Sequence, residues 1–125
     1  AFLSDSTVDA ADRITANGPW YLVNSFPLGG VSLTKALLLD GSIDSAINVD
    51  EFGNAVVMGS SNQAWTGSTT AGVSSGSNCN DWSTNAANVS STRGDVTATN
   101  ARWSTMPGNG NCSVERRLYC FQVGP

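Results

Sequence analysis

At 125 residues with a formal net charge of −4 and only six Lys plus Arg, the chain supports one domain, residues 1–125, with no basic face for nucleic acid or heparin. No run approaches the roughly 18 apolar residues of a membrane span, and the absence of histidine removes the commonest general base and zinc ligand. Low charge, 13 glycines and a second half filled with Ser, Thr and Asn describe short strands and long loops, not a helical bundle.

In chain order, Ser4-Asp5-Ser6-Thr7 is a cluster of N-cap residue types, and a short helix or a loop leading to a strand both fit residues 1–13. The chain begins at Ala1 rather than Met, which implies sequence upstream. Pro19 to Val23 reads as a strand after a Gly-Pro breaker. Ser32 to Leu39 is the best helix, with Ser32 as cap and Leu33, Ala36 and Leu37 on one face, ended by Asp40-Gly41. Ala55 to Met58 and Ala64 to Thr66 read as two further short strands, each closed by glycine. From Ser68 to Ser113 the chain is polar and interrupted by Trp82 and Trp103. Burying a tryptophan demands an ordered surround, so this half reads as ordered loops pinned to a small sheet.

The segment Cys112-Ser-Val-Glu-Arg-Arg-Leu-Tyr-Cys120-Phe121 ends in an apolar run that predicts a buried terminal strand. Three cysteines is an odd number, so one thiol is free or has its partner outside the chain. Disulfides would place the protein in an oxidising compartment.

Ala1-Phe2-Leu3-Ser4, Trp65-Thr-Gly-Ser68, Cys79-Asn-Asp-Trp82, Trp103 and Cys112 to Cys120 together resemble the endostatin domain of collagens. They are more similar still to a bacterial endostatin-like family of surface and secreted proteins. The resemblance implies an α+β fold of the C-type lectin-like class: a small twisted antiparallel sheet, one or two helices and long ordered loops. It implies a Cys79–Cys112 disulfide. It also implies a partner for Cys120 upstream of Ala1, so Cys120 is either a buried unpaired thiol or joined to a missing N-terminal segment or another chain. The histidines that bind zinc and the basic surface that binds heparin in endostatin have no counterparts here.

Beside these motifs stand candidate sites, each with a plainer reading. Asp40 to Glu51 nearly matches a calcium loop, with Asp40, Asp44 and Glu51 as ligands, but Ser45 stands where glycine is required; a capped helix end and a polar turn fit as well. Asn80, Asp81 and Trp82 resemble the Asn-Asp pair of sugar-binding lectins, or else satisfy backbone groups beside a disulfide. Arg93-Gly94-Asp95 spells an adhesion tripeptide, or an ordinary loop pairing. Arg116 and Arg117 are adjacent cations able to hold a small anion. Trp65 and Trp103 are expected in the core, with Trp82 left open. No catalytic residue is assigned and no cofactor is expected beyond the calcium option. The expectation is a secreted or cell-surface module that binds an extracellular protein or glycan through loops between Ser68 and Gly110, with no nucleic-acid partner and no membrane span. The alternatives are a structural accessory domain without a ligand, and a glycan hydrolase built on two carboxylates.

Overall fold

The computed structural model describes residues 1–56 and 62–124. Among these the architecture is mixed α+β: short helical turns and three separate two-stranded antiparallel sheets joined by long loops. The expected strand at Ala55 to Met58 lies partly outside the described residues; within them, Ala55 forms a single antiparallel bridge with Val49. Among the described residues no helix is long and apolar enough to cross a membrane.

The first helix, α1 (Ala10–Arg13), is one turn. Its first amide, Ala10 N, donates to the Ser4 hydroxyl at 2.8 Å, a cap supplied from six residues upstream. Strand β1 (Trp20–Tyr21) pairs with β2 (Gly30–Ser32). It is shorter than the sequence predicts because the chain folds back at once, Leu22 N donating to Gly29 O at 2.8 Å. The second helix, α2 (Lys35–Leu38), is capped by Thr34, whose hydroxyl accepts from Leu37 N at 3.2 Å. The expected cap and face are both corrected here. Ser32 is spent in β2 and donates its hydroxyl to Thr34 O, so the helix starts later. A single turn buries one side chain, Leu38, while Leu33 and Leu37 stay 61% and 45% exposed.

Strand β3 (Gln63–Trp65) pairs with β5 (Arg93–Asp95) in the register Gln63 to Asp95, Ala64 to Gly94 and Trp65 to Arg93. Strand β4 (Ser90–Ser91) pairs with β6 (Gly110–Asn111). Between these pairs lies a 3-10 turn, Ala101–Trp103. The single sheet expected from the sequence is thus split into ribbons, since no strand among the described residues exceeds three residues.

An aromatic core compensates for the short strands. Trp103 is fully buried and packs on Phe2 and Tyr119 at ring-centroid distances of 5.0 and 5.4 Å. Trp20 meets Phe121 edge-on at 5.4 Å, an arrangement favoured by ring quadrupoles. Both ends of the chain join this core: Phe2 N donates to Tyr119 O, and Trp20 Nε1 to Gln122 O.

The polar half is ordered by hydroxyls acting as cross-links. Thr66 Oγ1 donates to Ser104 O at 2.7 Å, Ser68 Oγ to Thr66 O at 2.7 Å, and Ser91 Oγ to Ser77 O at 2.8 Å. All three side chains are buried. Where ladders are short, loop carbonyls need partners, and short hydroxyl side chains supply them locally.

The C-terminal run is not the buried strand that its composition suggests. Arg117 makes one parallel bridge with Ala64; Tyr119 is buried, while Leu118 and Cys120 face solvent. Alternation along an extended segment explains the outcome, because neighbours on opposite faces cannot both turn inward. The Tyr119 hydroxyl donates to Trp103 O at 2.7 Å, and burial pushes its pKa well above the ordinary phenol value, so it stays a donor. Tyr119→Phe leaves that buried carbonyl unpaired and is expected to lower stability by about 1–3 kcal/mol in urea unfolding. A loss below a few tenths of a kcal/mol would mean that the bond is not formed.

Candidate functional site

The four residues Cys79, Asn80, Asp81 and Trp82 have φ of 54°, 55°, 57° and 62°. They form one turn of left-handed helix, with Trp82 N donating to Asn78 O at 2.8 Å and Ser83 N to Cys79 O at 3.1 Å. Left-handed backbone costs L-residues roughly 1–2 kcal/mol each. Asn and Asp tolerate it best, which suits Asn80 and Asp81; Cys79 and Trp82 must be held there from outside.

Four restraints do so. Cys79 is joined to Cys112 in a disulfide, Cα atoms 5.9 Å apart. The Asn78 side chain accepts from Asp81 N at 2.9 Å and donates to Asp81 Oδ1 at 2.8 Å. The other end of the Asp81 carboxylate accepts from the Ser6 hydroxyl at 2.6 Å, and Oδ1 also accepts from Ser6 N. Trp82 Nε1 donates to Ser4 O at 2.9 Å. Gly67 makes room for that indole: a Cβ there would lie 2.9 Å from Trp82 Cζ2 and 2.8 Å from Ser4 O. The glycine of Trp65-Thr-Gly thus has a packing reason. At the apex Asn80 is exposed, and its side-chain amide makes no hydrogen bond among the described residues.

Hydrogen bonds from the Ser6 hydroxyl and amide hold the Asp81 pKa below its ordinary 3.8. A lowered folded-state value contributes stability above the ordinary pKa that is lost as pH falls through the lowered one. Asp81→Asn is therefore expected to melt at lower temperature than wild type at pH 7. The gap should narrow as pH drops below about 3.8 and the wild-type carboxylate takes up its proton. A gap independent of pH would reject the role of the charge.

Trp82 leans on Trp65, ring centroids 6.1 Å apart, and the Arg116 guanidinium lies over the Trp65 ring at 4.3 Å. Trp65 and Trp103 are buried as expected, and Trp82 is half-buried. Trp65 links the turn to β5, where Arg93 stands opposite it. Arg93-Gly94-Asp95 is a paired strand and not a protruding loop; Asp95 Oδ1 accepts from Thr97 N at 2.9 Å and Thr97 Oγ1 at 2.7 Å.

The remaining candidates are not gathered into a site. Among the described residues no group of three ligating His, Cys, Asp or Glu side chains exists, so Asp40, Asp44 and Glu51 form none. Asp40 closes a local turn through Ser42 N at 3.1 Å, and Asp50, beside Glu51, accepts from Phe52 N and Asn54 N at 2.9 Å each. Cys120 forms no disulfide among the described residues and is exposed, which corrects the buried alternative.

One feature escaped the sequence reading. A groove of about 860 Å³ runs between β1 and the C-terminal segment, lined by Trp20, Tyr21, Phe26, Leu118 and Phe121 together with Asp50 and Glu51. Phe26 packs edge-on against Tyr21 at 4.8 Å, and neighbouring Leu28 is 92% exposed. The only sequence signal is an apolar Phe26-Pro27-Leu28 lying where a polar turn belongs.

Comparison with protein-family models, with curated proteins and with solved structures found no match to this chain.

Proposed function

We propose that the chain is an endostatin-like module of the C-type lectin-like class, secreted or held at a cell surface, which binds an extracellular protein or glycan and catalyses no reaction. The observation that carries this reading is Asn80. A free side-chain amide stands at the apex of a left-handed turn, which is locked by a disulfide and by hydrogen bonds that Asn78 and Asp81 accept and Trp82 donates. Strain of this kind persists only where its surroundings over-determine it, and it concentrates at recognition sites. Asp5, Asp50 and Asp81, each held below its ordinary pKa chiefly by hydrogen bonds, are unsuited to act as a general acid, which needs a carboxyl pushed up.

Arrays of extracellular-matrix proteins and of glycans, each with and without a calcium chelator, test the reading. Wild type should bind at least one ligand saturably. Asn80→Gly, which relieves backbone strain, should keep or raise the melting temperature while weakening that binding at least tenfold. No saturable ligand in either array, or binding indifferent to Asn80, overturns it.

A further inference from the structure

Arg93 and Arg116 converge on Gly110. A Cβ built there would lie 2.9 Å from Arg116 Cζ and 2.9 Å from Arg93 Nη1, so the two guanidinium groups are no more than twice that distance apart. Arg116 is fixed: its Nε donates to Gln63 Oε1 at 2.9 Å, its Nη1 to Asn111 O at 3.1 Å, and its plane covers Trp65. Arg93 donates no side-chain hydrogen bond among the described residues, and its Nε is buried without a partner. Among the described residues neither cation has a carboxylate partner; the ion pair found there is Arg13 with Asp5. Burial and the nearby Arg93 charge both lower the Arg116 pKa. Two like charges pressed together without a counter-charge repel one another, and an anion between them reverses the sign of the interaction.

We infer that Arg93 and Arg116 form the seat for a single carboxylate carried by a sugar. The inference rests on the binding reading above and names the ligand chemistry of one part of that face. The donors left over on the fixed Arg116 and the terminal nitrogens of Arg93, which are not spent on any partner among the described residues, suit the two oxygens of a carboxylate. The chain's net charge of −4 repels a polyanion but costs a singly charged ligand little. The groups against Arg116 are the amide residues Gln63 and Asn111, whose chemistry matches sugar hydroxyls. The Trp65 face that an apolar peptide side chain would want is already covered by Arg116. The pair is assembled across the fold, from β5 and the C-terminal segment, and not from neighbours in the sequence.

Amide chemical-shift titration of the full chain with methyl glucuronide, methyl glucoside and a blocked glutamate peptide tests the seat. Methyl glucuronide should shift Gly110 and the Trp65 indole saturably, and methyl glucoside should not. Arg93→Gln and Arg116→Gln should each weaken the glucuronide about tenfold or more, with Arg93→Lys retaining part of the affinity. Because the Arg93 side chain has no hydrogen-bond or carboxylate partner to lose among the described residues, Arg93→Gln should melt no lower than wild type. Equal response to the neutral sugar, tighter binding of the glutamate peptide, undiminished affinity in Arg93→Gln, or no response to the glucuronide overturns the seat. If Asn80-dependent array binding persists in that case, the seat alone falls; if it is lost as well, the binding module falls with it.

Discussion

Replacing Cys79 and Cys112 together by serine is expected to lower the unfolding free energy by roughly 3–4 kcal/mol, because the cross-link closes a loop of 33 residues and the entropy of that loop returns to the unfolded chain. For a domain of this size the melting temperature should fall by about 10–20 °C. The closed loop holds β4, β5, Trp103 and β6, so most of the hydroxyl network and one wall of the aromatic core depend on it. The left-handed turn adds a local consequence. Serine at position 79 keeps the unfavourable φ of 54° but loses the bond that enforces it, so the turn is free to relax before global unfolding. Hydrogen exchange at Asp81 N and Trp82 N, both engaged with Asn78, should then speed up more than exchange in β3. Urea unfolding of the double variant and of the reduced wild type checks the global effect. A loss below about 1 kcal/mol in both would show that the polar half is held by its hydrogen bonds and not by the cross-link.

What could be read in the sequence divides along physical lines. Side-chain chemistry that acts locally was legible: a helix within Ser32 to Leu39, though shorter and capped by Thr34, and the burial of Trp65 and Trp103 follow from residue type. The disulfide was legible only through resemblance, since three cysteines allow three pairings. The left-handed turn was not legible, because Asn80 and Asp81 permit the conformation without requiring it. Cys79 and Trp82 resist it, and the restraints come from Ser4, Ser6 and Cys112. The same holds for Arg93 and Arg116, which are brought together by the β3–β5 pairing and the return of the chain past Gly110. Composition misled at the C-terminus. A run of apolar residues says that burial is favourable, but it does not say which face of an extended segment receives it, and Cys120 went outward.

Gly94→Ala is expected to destabilise the protein by roughly 3–5 kcal/mol, through overpacking together with the loss of a buried hydrogen bond. A Cβ at this position would lie 1.9 Å from Trp103 O, 2.8 Å from Trp103 C and 3.1 Å from Ser104 Cα. Every one of these is a backbone atom, so no side chain can swing aside. The Trp103 carbonyl cannot yield cheaply either. It accepts from the Tyr119 hydroxyl at 2.7 Å, its residue carries the central ring of the core, and Met106 N just beyond is tied to Arg93 O at 2.8 Å. Gly94 does not need left-handed backbone, so the effect is steric and absent where space is open: Gly124→Ala, with nothing within 4 Å, should change stability by less than about 0.5 kcal/mol. Guanidinium unfolding of the two variants decides it, and equal stabilities would reject the close approach of β5 to Trp103. The outcome also bears on how Arg93-Gly94-Asp95 is tested for adhesion. Loss of cell binding in Gly94→Ala would follow from unfolding alone. Asp95→Glu is the informative variant, since it keeps the glycine and the charge while moving the carboxylate that closes the Thr97 turn.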